Sequence, residues 1–278
     1  MCEKGEKIIE HCDGCCCRCP IYRIYQKKYF LQILTDKKDV LVNPSCWEDP
    51  FDNFLFKCTK VVVEPGKKVP LDQAAKGVFG QCWTTNSEND AMWRIYSPGK
   101  DGIMVKSTRG KIRGNLHKYL CRHLSKHNPN LKVGDDPLRG SLSESDRDGV
   151  IRLLAKLIDV QYVKREDIKK FALELDLDSL NGSMLALDML GVKREAFRHE
   201  SEVRLVYFGD AESKCNADVF QFDLDPNEAF DEVILDPRTA VKEAKLLKRC
   251  LKNRGFNKPT RRSTLYDSPK FVIPLEAG

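Results

Sequence analysis

The densest grouping of chemically useful side chains in this 278-residue chain is the run Phe197-Arg198-His199-Glu200-Ser201-Glu202-Val203-Arg204. Side chains of an extended strand alternate between its faces. A strand here sends Glu200, Glu202 and Arg204 to one side and Val203, Leu205 and Tyr207 to the other. Two carboxylates and a guanidinium are costly to bury unless paired. The spacing therefore leaves two readings, a solvated sheet edge or a polar site. Carboxylates this close raise one another's pKa, which suits acid–base work or gripping a diol.

Three further clusters carry candidate chemistry. In Trp47-Glu48-Asp49-Pro50-Phe51-Asp52, two aspartates on a proline-stiffened loop can hold a ribose hydroxyl or cap a helix. Gln81-Cys82-Trp83-Thr84-Thr85 puts polar side chains at a strand end, and Met92-Trp93-Arg94-Ile95-Tyr96 adds amphipathic aromatics that either stack on a base or pack. Two of the three tryptophans, Trp83 and Trp93, lie ten residues apart among polar neighbours. They read as the wall of a small-molecule or nucleotide pocket, with a core corner as the alternative.

The N-terminal stretch holds Cys12, Cys15, Cys16, Cys17 and Cys19. Cys12/Cys15 and Cys16/Cys19 each form C-x2-C, so a zinc site on Cys12, Cys15, Cys16 and Cys19 stands against a reduced tail without metal. Isolated cysteines at 82, 121, 215 and 250 read as small core residues.

The elements that must position these residues follow from periodicity. A helix is predicted over 29–34, strands over 39–43, 54–64, 77–85 and 102–108, and a loop over 45–53. Ser87 and Asp90 fit a capping box that starts a helix carrying Met92, Trp93 and Tyr96 on one face. Ile112, Leu116, Leu120 and Leu124 recur every four residues, a helical stripe. Residues 134–149 read as a polar loop, 157–164 as one strand, and 166–175 and 183–190 as helices. Strands follow at 202–208, 218–224 and 231–236, then an Asp236-Pro237 turn, an amphipathic helix within 239–255 and a last strand at 271–274. Strands and helices without strict alternation predict an α+β fold: a mixed, mainly antiparallel sheet with flanking helices. The expected organisation is a Cys-rich tail over 1–20 and one domain over 21–278.

Bulk properties narrow the classes. Hydrophobic content of 41% and charged content of 32% suit a globular protein with a substantial core. No apolar run reaches membrane-helix length and no secretory h-region opens the chain, so a cytoplasmic protein without a membrane partner is expected. The net charge of +6 is concentrated. Residues 94–126 carry nine Lys or Arg against Asp101 alone, and residues 241–262 carry nine against Glu243 alone. Such segments suit a polyanion or a phosphate-bearing ligand, or are simply solvated helix faces.

Taken in order, several motifs resemble the bacterial domain-of-unknown-function 2971 family. They are Asp49-Pro50-Phe51, Cys82-Trp83-Thr84, Met92-Trp93 with Tyr96, Gly102-Ile103-Met104-Val105-Lys106-Ser107-Thr108, and Glu200-x-Glu202-x-Arg204. The likeness runs from about residue 22 to the final strand and leaves out the cysteine tail; Asp236 stands where glycine is expected. The layout is also distantly similar to ADP-ribosyltransferases: an early arginine or aromatic, a mid-chain strand ending in serine or threonine, and a late Glu-x-Glu strand. That similarity implies NAD as substrate. Arg23 would bind its phosphate, Thr84 or Thr85 would support the nicotinamide ribose, and Trp83 or Tyr96 would stack on nicotinamide. Glu202 would hold the ribose 2′-hydroxyl and stabilise the oxocarbenium-like transition state, while Glu200 would orient the acceptor. It implies a transferase or NAD glycohydrolase of the toxin or defence kind. Two alternatives stay open. One is a nucleic-acid-binding module without catalysis. The other is a nuclease holding a divalent ion with Asp49, Asp52, Glu200 and Glu202.

Overall fold

Strand β5 (Val78–Thr84) is the hub of a nine-stranded sheet. The computed structural model describes residues 16–47, 60–64, 67–70, 77–127, 155–168, 170, 190–209 and 218–269. Along one edge, β5 pairs antiparallel over its whole length with β10 (Glu202–Phe208), from Glu202 opposite Thr84 to Phe208 opposite Val78. Beyond β10 lies β7 (Ala155–Asp159). The other edge of β5 is shared. Val42 of β2 (Lys38–Val42) pairs with Gly80, and Tyr22 of β1 (Pro20–Tyr25) pairs with Thr84. The sheet therefore forks. One arm continues from β2 to β11 (Val219–Asp223), the other from β1 through β6 (Ile103–Thr108) and β12 (Glu232–Leu235) to β13 (Thr260–Arg262). Only the β12–β13 pair in this sheet is parallel. Two small sheets stand apart, β3 (Lys60–Glu64) with β4 (Lys67–Pro70), and β8 (Gln161–Val163) with β9 (Val192–Arg194). The expected α+β class with a mainly antiparallel sheet and flanking helices is what the chain adopts.

Alternation along the strands divides the two faces. Ile21, Tyr25, Phe79, Trp83, Ile103, Val105, Val203, Leu205 and Tyr207 face the principal core. Helices close it: α1 (Lys27–Asp36) through Phe30, Ile33 and Leu34, and α3 (Arg109–His127) through Ile112, Leu116 and Leu120. Helix α5 (Val241–Asn253) contributes Ala244 and Leu251, and the short α4 (Pro226–Ala229) adds Ala229. On the opposite face, Tyr22, Met104 and Ile234 pack around Trp93 of α2 (Asp90–Tyr96). Thr84 of β5 and Glu202 and Arg204 of β10 lie on this second face.

Several sequence expectations change in detail. The single strand expected over 157–164 is broken at Val160, whose N–H bonds Glu202 O while Gln161 N–H turns to Gly191 O. The chain thus leaves the β10 ladder and pairs with β9 instead. The expected capping box does not form, because Asn89 caps α2 by accepting from Met92 N–H, and Asp90 already pairs with Arg94 inside the helix. Cys82, Cys121 and Cys250 are half-buried, Cys121 packing against the principal core, and Cys215 lies outside the described residues. The expectations for 48–53, 54–59, 134–149, 171–189 and 271–274 lie outside the described residues. No helix among the described residues is long and apolar enough to cross a membrane.

Candidate functional site

The Glu-x-Glu-x-Arg run is not one continuous strand. Glu200 ends a 3-10 turn (Glu195–Glu200), and Ser201, at φ 44°, swings the chain into β10. The two glutamates converge nonetheless. Glu200 is 6% exposed, Glu202 5% and Arg204 0%, so the reading of a solvated edge is excluded. Burial on this scale requires pairing, and the pairing is dense. Arg204 grips Glu202 with a fork, Nε to Oε1 at 2.8 Å and a terminal nitrogen to Oε2 at 3.0 Å. Its other terminal nitrogen donates to Leu190 O at 2.7 Å. From β9, Lys193 Nζ reaches Glu200 Oε2 at 2.6 Å and Glu202 Oε2 at 3.3 Å.

Neutral donors complete the cluster. The Tyr96 hydroxyl donates to Glu200 Oε1 at 3.0 Å, and Thr84 Oγ1 donates to Glu200 O at 2.5 Å. Glu202 N–H donates to the Tyr162 hydroxyl at 2.8 Å. Trp47 lies over the Arg204 guanidinium, 4.8 Å from ring to Cζ. That stacking explains Gly80: a Cβ there would stand 2.7 Å from Trp47 Cζ2. The half-buried Trp47 and Tyr162, with the exposed Thr85 and Tyr96, rim the two carboxylates.

The electrostatics reverse the expected shift. Burial pushes the Glu202 pKa up, but the Arg204 charge and hydrogen bonds, the Lys193 ammonium and a Cys82 hydrogen bond together hold it at about 2. Two cations stand within reach of the two carboxylates. Glu202 is therefore a buried carboxylate held ionised at neutral pH and unsuited to donate a proton. Burial and the nearby Glu200 push Tyr96 well above the usual phenol value, so it stays a donor. Burial lifts Tyr162 to about 12.

The other candidates divide by position. Thr84 and Tyr96 join the cluster, and Thr85 lies at its rim, its N–H bonding Ser201 O. Trp83 points the other way, into the principal core, with Nε1 donating to Gln81 Oε1 at 2.8 Å. It cannot stack on a ligand at Glu202. Trp93 is 0% exposed and packs with Tyr22, Met104 and Ile234, so it is not a pocket wall. Arg23 also leaves the site face: strand alternation opposes it to Tyr22, and its guanidinium lies 4.8 Å over the Tyr25 ring. Asp49 and Asp52 lie outside the described residues, as do Cys12 and Cys15. No group of three or more metal-ligating residues occurs among the described residues, and Cys19 has no such company. For the divalent-ion reading, the Lys193 ammonium occupies the place between Glu200 and Glu202 that an ion would need.

Sequence reasoning missed Lys193, Tyr162 and Trp47 as site residues. Lys193 belongs to β9, a three-residue strand too short for a periodic signal, and Tyr162 to β8, which the sequence joins to β7 in one strand. Trp47 carried one signal, an aromatic beside an acidic, proline-stiffened loop.

No protein-family model matches the chain, and no curated protein matches it. The resemblance to the domain-of-unknown-function 2971 family thus finds no counterpart there. Among solved structures, DarT of Thermus sp. 2.9 in complex with ADP-ribosylated single-stranded DNA is 13% identical, at a TM-score of 0.36. The match covers 88% of this chain and 93% of that one. The same protein in complex with NAD+ is 12% identical at a TM-score of 0.34, covering 88% and 95%.

Proposed function

We propose that this chain is an NAD-consuming enzyme of the ADP-ribosyltransferase or NAD glycohydrolase type, with its reacting centre at Glu202. The observation that carries the reading is the Glu202 carboxylate itself, buried yet held ionised by Arg204 and Lys193. The chemistry needs such a group. As the bond from ribose C1′ to the nicotinamide nitrogen breaks, its electron pair leaves with the ring, which becomes neutral, and positive charge grows on C1′ and the ring oxygen. A fixed anion in a site of low dielectric stabilises that charge without reorganising. An acceptor oxygen or nitrogen then bonds C1′ and gives up its proton to solvent water.

In this reading Glu202 also accepts from the ribose 2′-hydroxyl. The rim ring of Tyr96, rather than Trp83, stacks on nicotinamide, and Thr84 and Thr85 line the ribose. Glu200, oriented by Tyr96 and Lys193, faces the acceptor. The setting in which such activity is useful is that of a cytoplasmic toxin or defence effector, and the carboxylate gives both roles one test. Purified protein is incubated with NAD, with and without RNA, DNA and cell lysate, and free nicotinamide is measured. Glu202→Gln keeps the side-chain shape and is expected to lower release by at least about 100-fold, and induced expression of the unaltered chain is expected to arrest growth where Glu202→Gln does not. Absence of nicotinamide release under every condition overturns the reading.

A further inference from the structure

The outward face of α5 is a row of cations. Lys242, Lys245, Arg249 and Lys252 recur at i, i+3, i+7 and i+10, which aligns them along one side of a helix with 3.6 residues per turn. Lys248 flanks the row. All five are exposed, and none forms an ion pair with a described residue. Four cations of the other basic segment behave differently. Arg94, Arg109, Lys111 and Lys118 pair with Asp90, Asp159, Asp231 and Glu228. Local sequence does not explain the difference, because like charges at i, i+3 and i, i+4 disfavour the helix that carries them. An external polyanion would relieve that repulsion.

The geometry narrows the partner. Lys242 to Lys252 spans about 15 Å at 1.5 Å rise per residue, long enough to follow several successive phosphates of a nucleic-acid strand. A helix that lies on a membrane inserts an apolar face opposite its charges. Here that face, through Ala244 and Leu251, is committed to the principal core. Only Leu246 and Val241 remain exposed on α5 as large apolar side chains, too few to anchor it in lipid. The principal core lines the sheet face opposite Glu202, so the row is separate from the candidate active site.

We propose that α5 is a nucleic-acid-binding face that grips the phosphodiester backbone without reading bases. The inference does not rest on the NAD reading. The test is titration of the full chain against a fluorescent single-stranded oligonucleotide of roughly 20 nucleotides at several salt concentrations. Four phosphate contacts predict a slope of log affinity against log salt of about −3, and hence about a 50-fold loss between about 50 and 200 mM salt. Lys245→Ala/Arg249→Ala removes two contacts from exposed positions. It is expected to flatten the slope by about 1.4 and leave thermal unfolding unchanged. Lys118→Ala, on the paired segment, is expected to leave binding as it was. Binding that the double variant does not weaken overturns the proposal. So does an absence of oligonucleotide binding, and so does capture only by vesicles of anionic phospholipid.

Discussion

At the scale of single residues, the cluster around Glu202 sets two anions against two cations among the described residues. Glu200 and Glu202 face Lys193 and Arg204, with each of the four side chains nearly or fully enclosed. Removing one member leaves an uncompensated buried charge, which is far worse than removing a pair. Lys193→Ala is therefore expected to lower unfolding free energy by about 3–5 kcal/mol in urea titration. Glu200→Gln in the Lys193→Ala background is expected to recover part of that loss, because it removes the charge left unpaired. If the two losses simply add, Lys193 and Glu200 are not coupled as their 2.6 Å contact implies. The sequence shows the anions and Arg204 because they lie within five residues. It does not show Lys193, which arrives from another strand, and so it predicts raised carboxylate pKa values where Glu202 has a lowered one.

At the scale of elements, the site depends on two close approaches that no single strand dictates. One is Trp47 over Arg204, made possible by the missing side chain at Gly80. Gly80→Ala places a methyl 2.7 Å from the indole and is expected to push Trp47 outward, costing about 1–3 kcal/mol. Trp47 is the half-buried tryptophan, while Trp83 and Trp93 are 2% and 0% exposed. Quenching by acrylamide should therefore rise in Gly80→Ala, and unchanged quenching would place the indole elsewhere. The second approach is α2, only seven residues long, which carries Tyr96 to Glu200. Its Asn89 cap is expected to contribute about 1 kcal/mol, measured as the destabilisation in Asn89→Ala. Long elements with one apolar face, such as β5, β10, α3 and α5, were legible from periodicity. The three-residue strands β9 and β13 were not, since a period of two needs more repeats to appear, and β8 was read as a continuation of β7. The faces of Trp83 and Trp93 were equally hidden. Strand parity separates Trp83 from Thr84, but which parity meets the core is decided by the strands that pair with β5.

At the scale of the whole molecule, the ionised cluster ties stability to pH. Glu202 has a pKa of about 2 in the folded chain against 4.5 for a free glutamate. The folded state therefore holds fewer protons than the unfolded state between these values, and stability falls as pH falls. The contribution is fully present above about pH 4.5 and is lost as the pH approaches 2. A shift of this size is worth on the order of 3 kcal/mol. In Glu202→Gln that part of the acid dependence should disappear, so its unfolding free energy should change less between pH 5 and pH 2 than that of the unaltered chain. Activity should behave differently. Because Glu202 stays ionised throughout the neutral range, nicotinamide release should show no acidic limb from this residue above about pH 4. An acidic limb near neutrality that vanishes in Glu202→Gln would mean that Arg204 and Lys193 do not hold the carboxylate ionised. The charge balance inferred for the site would then be wrong.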